Sequence, residues 1–337
     1  MKDPGFCLYF ACGSKQYLEF LLICNIKNIL ISFAYPEPWR MKGIIKRNNV
    51  KLLCDSGAFT SWNLSQKKKR EGDANWAKHL INIDEYAKFL DKHSDIIYRA
   101  VNLDVIPGEQ GSPPTQEQIL DAAEEGWKNY LYLKSKGHDT IHVFHQGEPL
   151  WVLDRMLKEC DYIGISPNND ASEASKFRWM DYTFRHIAES ENPNIKTHGF
   201  AVTSAKLVKR YPWKSVDSSS YSITSALGSV LTKYGRIYVS DQNHNKEDHI
   251  LKKPDLIKKH INDYLMERIG YGIKSMSDRR QQRPVNCPQC LHEIEVYEKI
   301  QAYKPRNFAN IIYYQELQEE RREKGPSMDF MKQKTLL

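Results

Sequence analysis

The chain has 337 residues, a formal net charge of +7, 41% hydrophobic and 27% charged residues. That hydrophobic share excludes disorder throughout, and the length allows one large domain or two small ones with a substantial core. The modest positive balance permits a polyanionic partner without requiring one.

The opening segment, MKDPGFCLYFACGSKQ, lacks the basic-then-apolar plan of a signal peptide. The apolar stretch Leu18 to Ile26 is too short to span a bilayer and is broken by Lys27. Seven cysteines in a chain of this size do not suggest a disulfide framework. A soluble protein of a reducing, cytoplasmic compartment, with no membrane contact, is the expectation.

Eight short apolar runs follow one another: FCLYFAC (6–12), NILISFA (28–34), KLLCDSG (51–57), IYRAVNLD (97–104), IHVFHQG (141–147), YIGIS (162–166), KTHGFAV (196–202) and SVDSSS (215–220). Each is rich in β-branched or aromatic residues, as strands buried on both faces are. Between most of them lie helix-like stretches such as IDEYAKFLDKH, TQEQILDAAEEGWKNYLYLKSKG with Gly137 as a C-cap, and LWVLDRMLKEC. The alternation predicts a parallel α/β protein. Eight strands are the number that closes a (β/α)8 TIM-like barrel, the doubly wound open sheet being the alternative. The span from 57 to 82 reads as a helix-poor insertion in one loop.

After residue 220 the character changes. One more strand is expected over Ile237 to Ser240, then a polar stretch, a helix containing LIKKHINDYLMERIG, a basic run SDRRQQRP, and NCPQCLHE. The expected division is a catalytic barrel over 1–240, a helical and CxxC-bearing zinc-knuckle-like subdomain over 241–320, and a flexible charged tail over 321–337. The Cys287-x-x-Cys290 spacing, with His292 two residues on, suits a structural zinc ion. Arg279, Arg280 and Arg283, with Lys274, Lys304, Arg306 and the run Lys67 to Arg70, form a candidate track for nucleic-acid phosphates. A solvated charged face is the competing reading of each run.

In a barrel of this kind catalytic groups sit at the C-terminal ends of the strands. The polar residues there are Asp55 and Ser56, Asn102 and Asp104, His145 and Gln146, Ser166 and Asn168, and Asp217 with Ser218. Taken singly, a strand-end Asp is as well read as a helix N-cap or loop anchor. Five such ends on one rim point to a site. No Gly-x-Gly-x-x-Gly or Walker-type loop is present, so nothing supports a phosphate cradle. Tyr211, Trp213 and Tyr221 flank Asp217 and could either stack on a base or pack in the core.

DSGAF at 55–59 resembles the DSGGF/DSGSF motif of the tRNA-guanine transglycosylases. FHQGEP at 144–149 is similar to their Gln-Gly segment, YIGIS at 162–166 to their Gly-rich strand, and HGFAVTSAKLVKRYPWKSVDSSSY at 198–221 to their final strand pair. The likeness spans roughly residues 50–310 and is nearest to the DNA-directed phage and bacterial branch, the 7-deazaguanine DNA transglycosylases. The resemblance implies that Asp217 is a nucleophile toward the sugar C1′ and Asp55 a general acid/base. It implies further that Asp104, Gln146 and Gly164 hold the heterocycle and that Ser56, Phe59 and His145 shape the pocket, with Gly199 a further substrate-binding candidate; the Gly147 N–H suits stabilisation of the departing base. The implied partners are DNA, or tRNA in the alternative, and a free 7-deazaguanine base. A catalytically dead nucleic-acid-binding barrel subunit is the remaining alternative, against which the presence of both acids counts. The family's zinc set also includes a cysteine where this chain has Val285, and a His where it has Ala309-Asn310. Here the set would be Cys287, Cys290 and His292, with His249, His260 or a residue elsewhere as the fourth ligand.

Overall fold

A computed structural model of the chain describes residues 5–168, 170–202, 204–276, 284–286, 293–295 and 303–332. All eight predicted strands form, as β1 (Cys7–Cys12), β2 (Asn28–Ser32), β3 (Lys51–Asp55), β4 (Ile97–Val101), β5 (Thr140–His145), β6 (Tyr162–Ser166), β7 (Lys196–Gly199) and β8 (Ser215–Ser218). They are parallel and close into one barrel in sequence order, with β8 returning to β1 and Tyr9 level with Asp217. The open-sheet alternative is thereby removed.

Side chains alternate across a strand, and here the alternation builds the site. Cys7, Tyr9, Leu30, Leu53, Val101, Ile141, Val143 and Tyr162 fill the barrel as one apolar plug, with Ala11 and Phe200 packed against it. Two residues beyond Leu30, Leu53 and Val143 stand Ser32, Asp55 and His145, and Asp217 follows Ser215 in the same way. The layer above the plug is therefore polar, at the C-terminal rim. At the other end of the barrel Tyr9, Tyr98, Tyr162, Lys51, Arg99 and Ser215 line a cavity of about 870 Å³.

The connecting helices carry their stop signals in sequence. The helix Gln116–Ser135 begins with a reciprocal capping box between Thr115 and Gln118, and Gly137 beyond its end takes a φ of +87°. The helix Ile83–His93 is capped by Asn82, whose side chain accepts the backbone N–H groups of Asp84 and Glu85. The expected helix-poor insertion is instead occupied by the helix Ala58–Arg70 and a 3-10 turn, Trp76–His79. Its sequence shows no apolar stripe. The helix buries Ser61, Ser65 and Gln66 instead, and four cations in its last turn complement its dipole.

The chain divides into two compact units, Met1–Ser218 with Glu320–Leu337, and Ser219–Glu319. The boundary thus falls at the end of β8 rather than after residue 240. Unit two contains an antiparallel hairpin of β9 (Ser229–Thr232) and β10 (Gly235–Tyr238), of which only the second strand was expected. Its core gathers Val230, Ile237, Val239, Ile250, Ile261, Leu265, Met276 and Ala309. A second antiparallel pair, β11 (Pro284–Asn286) and β12 (Glu293–Glu295), lies further on. Asn310 is buried and structural, accepting the Leu231 N–H and donating to Tyr221 O.

The expected flexible tail carries helix at both ends of its described part, which stops at Lys332. The helix Tyr303–Lys324 runs into it and a short helix, Asp329–Lys332, follows. Arg321 is buried and donates to the carbonyls of Val208 and Tyr211, while Arg322 donates to Phe6 O. Phe330 is buried against Phe184 and Tyr211. Arg321 and Arg322 of the charged tail thus serve main-chain carbonyls of the barrel unit.

Candidate active site

DSGAF folds as it does because of Gly57. This residue has a φ of +79°, and a Cβ there would stand 2.7 Å from Ala34 Cβ and 2.8 Å from Ser32 Oγ. Only glycine fits. The turn lets the Gly57 N–H donate to Asp55 Oδ2 at 3.0 Å, and the Ser32 side chain also hydrogen-bonds Asp55. Burial is the largest influence on this carboxyl, opposed by those bonds and reinforced by the charges of Asp217 and Asp104, and it is pushed up to about 6. Ser56 is buried, whereas Phe59 is exposed on the following helix and stacked on Trp62.

Asp217 is 9% exposed, at the end of β8. Its Oδ1 accepts the Ala201 N–H at 3.0 Å and lies 3.3 Å from His198 Nε2. Ala201 carries a φ of +52°, unusual for a residue with a Cβ. The loop after β7 thus adopts a strained turn that aims an N–H at the carboxylate. The other oxygen has no hydrogen-bond partner among the described residues. Asp217 and Asp55 approach closely enough for the first to raise the proton affinity of the second.

A second acid–base group lies beside them. His145 Nε2 is 3.3 Å from Asp104 Oδ2, and the His145 backbone N–H donates to Glu148 Oε2 at 2.9 Å. Burial opposes a charge on His145, but the Asp104 bond and the charges of Asp104 and Glu148 override it and push the imidazole up to about 9. Burial pushes Glu148 up to about 7, against the pull of His145. Gly147, with a φ of +115°, makes the turn that folds Glu148 back onto His145. In Asp104→Asn, burial should prevail and the His145 imidazole should titrate below its ordinary 6.5 rather than near 9. Histidine-resolved NMR titration checks this, and an unmoved midpoint would refute the pairing.

The other sequence-predicted residues have contacts of their own within the barrel and its loops. Gln146 is turned onto the loop after β6, its Oε1 accepting the Asn168 N–H at 2.9 Å. At Gly164 a Cβ would meet Phe200 Cε2 at 2.5 Å, and at Gly199 one would meet Val202, Val216 and Trp213, so both glycines make room for packing. Asn102 is buried on the outer side of the barrel, donating to Gly126 O and touching His142. The flanking aromatics are core residues. The Tyr211 hydroxyl bonds Asp181 and its ring stacks on Phe184, the Trp213 indole donates to Leu207 O, and Tyr221 is fully buried.

The cationic track is only partly described. Arg279, Arg280 and Arg283 lie outside the described residues, as do Cys287, Cys290 and His292, the zinc candidates. Arg306 is buried and donates to Met276 O, which removes it from a surface track. Lys67 and Lys68 pair with Glu71, and Lys69 with Glu109. His249 has both ring nitrogens engaged, with Ser240 O and the Leu251 N–H, and is no spare zinc ligand. Among the described residues no cluster of three or more His, Cys, Asp or Glu suits a metal ion, and no helix is long and apolar enough to cross a membrane.

Sequence reasoning passed over Ser32, Glu148 and His198. The last was visible in principle, since its place two residues before Phe200 sets it facing inward. No family model and no curated protein matches the chain.

Proposed function

We propose that the protein is a DNA-guanine transglycosylase, a pentosyltransferase that exchanges guanine in DNA for a 7-deazaguanine base. The observation that carries this reading is the meeting of Asp55 and Asp217 at the barrel rim in contrasting surroundings. One is a half-buried carboxyl with raised proton affinity, the other a carboxyl with one oxygen accepting the Ala201 N–H and facing His198 Nε2. Retaining glycosidases divide nucleophile and proton transfer between two carboxylates in the same manner.

In the proposed reaction an Asp217 oxygen attacks C1′ as the C1′–N9 bond breaks, and guanine departs with a proton from Asp55. The incoming base then gives its N9 proton to Asp55 carboxylate. Its N9 attacks C1′, and the bond to Asp217 breaks. No oxidant, reductant or water is consumed, and the site must exclude water while the glycosyl ester exists. In a duplex the target must first leave the stack, because C1′ and the base faces are covered there. Asp104 and the His145–Glu148 pair supply charge and hydrogen-bonding groups beside the carboxylates for holding the heterocycle.

The structural zinc on Cys287, Cys290 and His292, phosphate binding by Arg279, Arg280 and Arg283, and a cytoplasmic location belong to the same reading and take no part in the chemical step. Incubation of purified protein with radiolabelled guanine and either plasmid DNA or tRNA tests the assignment. Label entering DNA is the expected result. Label in tRNA alone would transfer the reaction to tRNA, and label in neither would remove it.

A further inference from the structure

We infer that His198 positions the nucleophile: its imidazole, fixed in one tautomer by buried hydrogen bonds, holds one oxygen of Asp217 and leaves the other to attack. The inference rests on the proposed exchange reaction for its chemical consequence, but its geometry stands apart from it.

His198 and Ser215 are register partners on adjacent strands β7 and β8, and both face into the barrel. His198 is fully buried, and its ring meets Phe200 edge-on at 4.5 Å and Tyr9 at 6.2 Å, which restrains the ring plane. Its Nδ1 lies 2.5 Å from Ser215 Oγ, and Ser215 Oγ lies 2.5 Å from the Tyr162 hydroxyl. On the other side Nε2 faces Asp217 Oδ1 at 3.3 Å.

The donor order follows from the ends of this chain. An ionised carboxylate only accepts, so Nε2 carries the proton and donates to Asp217. The Tyr162 hydroxyl donates to Ser215 Oγ, its one described side-chain partner. Ser215 then directs its own proton to Nδ1, which must be unprotonated. Every polar atom is satisfied in this single arrangement, and the tautomer is set by the group behind the ring.

With the Ala201 N–H, His198 occupies Oδ1 of Asp217 with two donors. That leaves Oδ2 for bond formation at C1′. The same two donors stay on Oδ1 when it becomes the carbonyl oxygen of the glycosyl ester. They receive the returning charge when that ester is cleaved by the incoming base. Such prealigned donors act most where charge develops in the transition state.

The test joins a spectroscopic and a kinetic measurement on the full chain. In protein labelled with 15N-histidine, His198 should show a protonated Nε2 and an unprotonated Nδ1. Ser215→Ala should mix the tautomers. In the exchange assay, His198→Phe should lower kcat by ~10²–10³, the loss typical of one such donor, with KM for the free base unchanged. His198→Gln, which places an N–H near the Nε2 position, should recover a large part of that loss. Ser215→Ala, the smaller change should His198→Phe fail to fold, should lower kcat severalfold at unchanged KM. An Nδ1-protonated His198 in the wild type would overturn the proposal. So would His198→Gln and His198→Phe failing equally while Ser215→Ala keeps full kcat. If the wild type exchanges no base, the transglycosylase reading falls, and the nitrogen shifts still decide the tautomer.

Discussion

Asp217→Asn is expected to lower base exchange by about 10⁴-fold or more, the scale on which removal of a covalent nucleophile is felt. The substitution keeps the shape of the side chain. The Asn oxygen can still accept from Ala201 N–H and from His198, so the strained turn after β7 and the hydrogen-bonded chain behind it retain an anchor. Folding and nucleic-acid affinity should therefore change little. The wild type incubated with DNA and then denatured should carry a covalent protein–DNA adduct, and the variant should carry none. An Asp217→Asn protein that still exchanged bases, or still formed the adduct, would show that another residue attacks the sugar.

The second large effect concerns Asp55, and it depends on pH in a direction the site fixes. The folded carboxyl is raised to about 6 by burial first, with the charges of Asp217 and Asp104 adding to it. Guanine departure uses its protonated form, so that half-reaction should slow as pH rises through about 6. Capture of the incoming base uses the carboxylate and should slow as pH falls through the same point. Single-turnover guanine release and base incorporation, each followed across pH 5 to 8, should bend in opposite senses. Asp55→Asn should lower both by ~10²–10⁴ and flatten the bend. A wild-type release rate independent of pH across this window would exclude Asp55 as the acid.

Stability gives an independent readout of the same group. An unfolded Asp titrates near 3.9, so between about pH 4 and 6 the native state binds more protons than the unfolded one. Stability falls as pH rises through that window and stays lower above it. Asp55→Asn removes the penalty and keeps an acceptor for the Gly57 N–H. It should be the more stable protein at pH 8, by on the order of 1–2 kcal/mol once the partial exposure of the group is allowed for, and not at pH 4. A site residue that opposes folding where it is ionised is one physical sign of a functional role.

Local sequence determined the skeleton of this protein. Eight apolar runs with polar ends became eight parallel strands, because a strand covered on both faces must be apolar along its length and side chains repeat every second residue. The same period placed Asp55, His145 and Asp217 above the apolar plug, and Gly57 marked the turn that serves Asp55. What escaped were features whose cause lies outside their own segment. The helix Ala58–Arg70 has no apolar stripe to reveal it, and the tail from Arg321 is ordered by carbonyls of Val208, Tyr211 and Phe6, more than a hundred residues away in sequence. Tyr211 and Trp213 stand near Asp217 in sequence, yet they belong to the core, because they precede β8 and pack against Phe184, where the Tyr211 hydroxyl bonds Asp181 and the Trp213 indole donates to Leu207 O.

The two acids, the strand order and the barrel were thus within reach of the sequence. Which groups touch them was not. The pairing of Asp104 with His145, the return of Glu148 onto the His145 N–H, and the line from Tyr162 through Ser215 and His198 to Asp217 each join different strands or loops. Periodicity tells which way a side chain faces. Only barrel closure, with its fixed register between β7, β8 and β1, brings those inward-facing groups within hydrogen-bonding distance and so sets the proton affinity of one carboxylate and the orientation of the other.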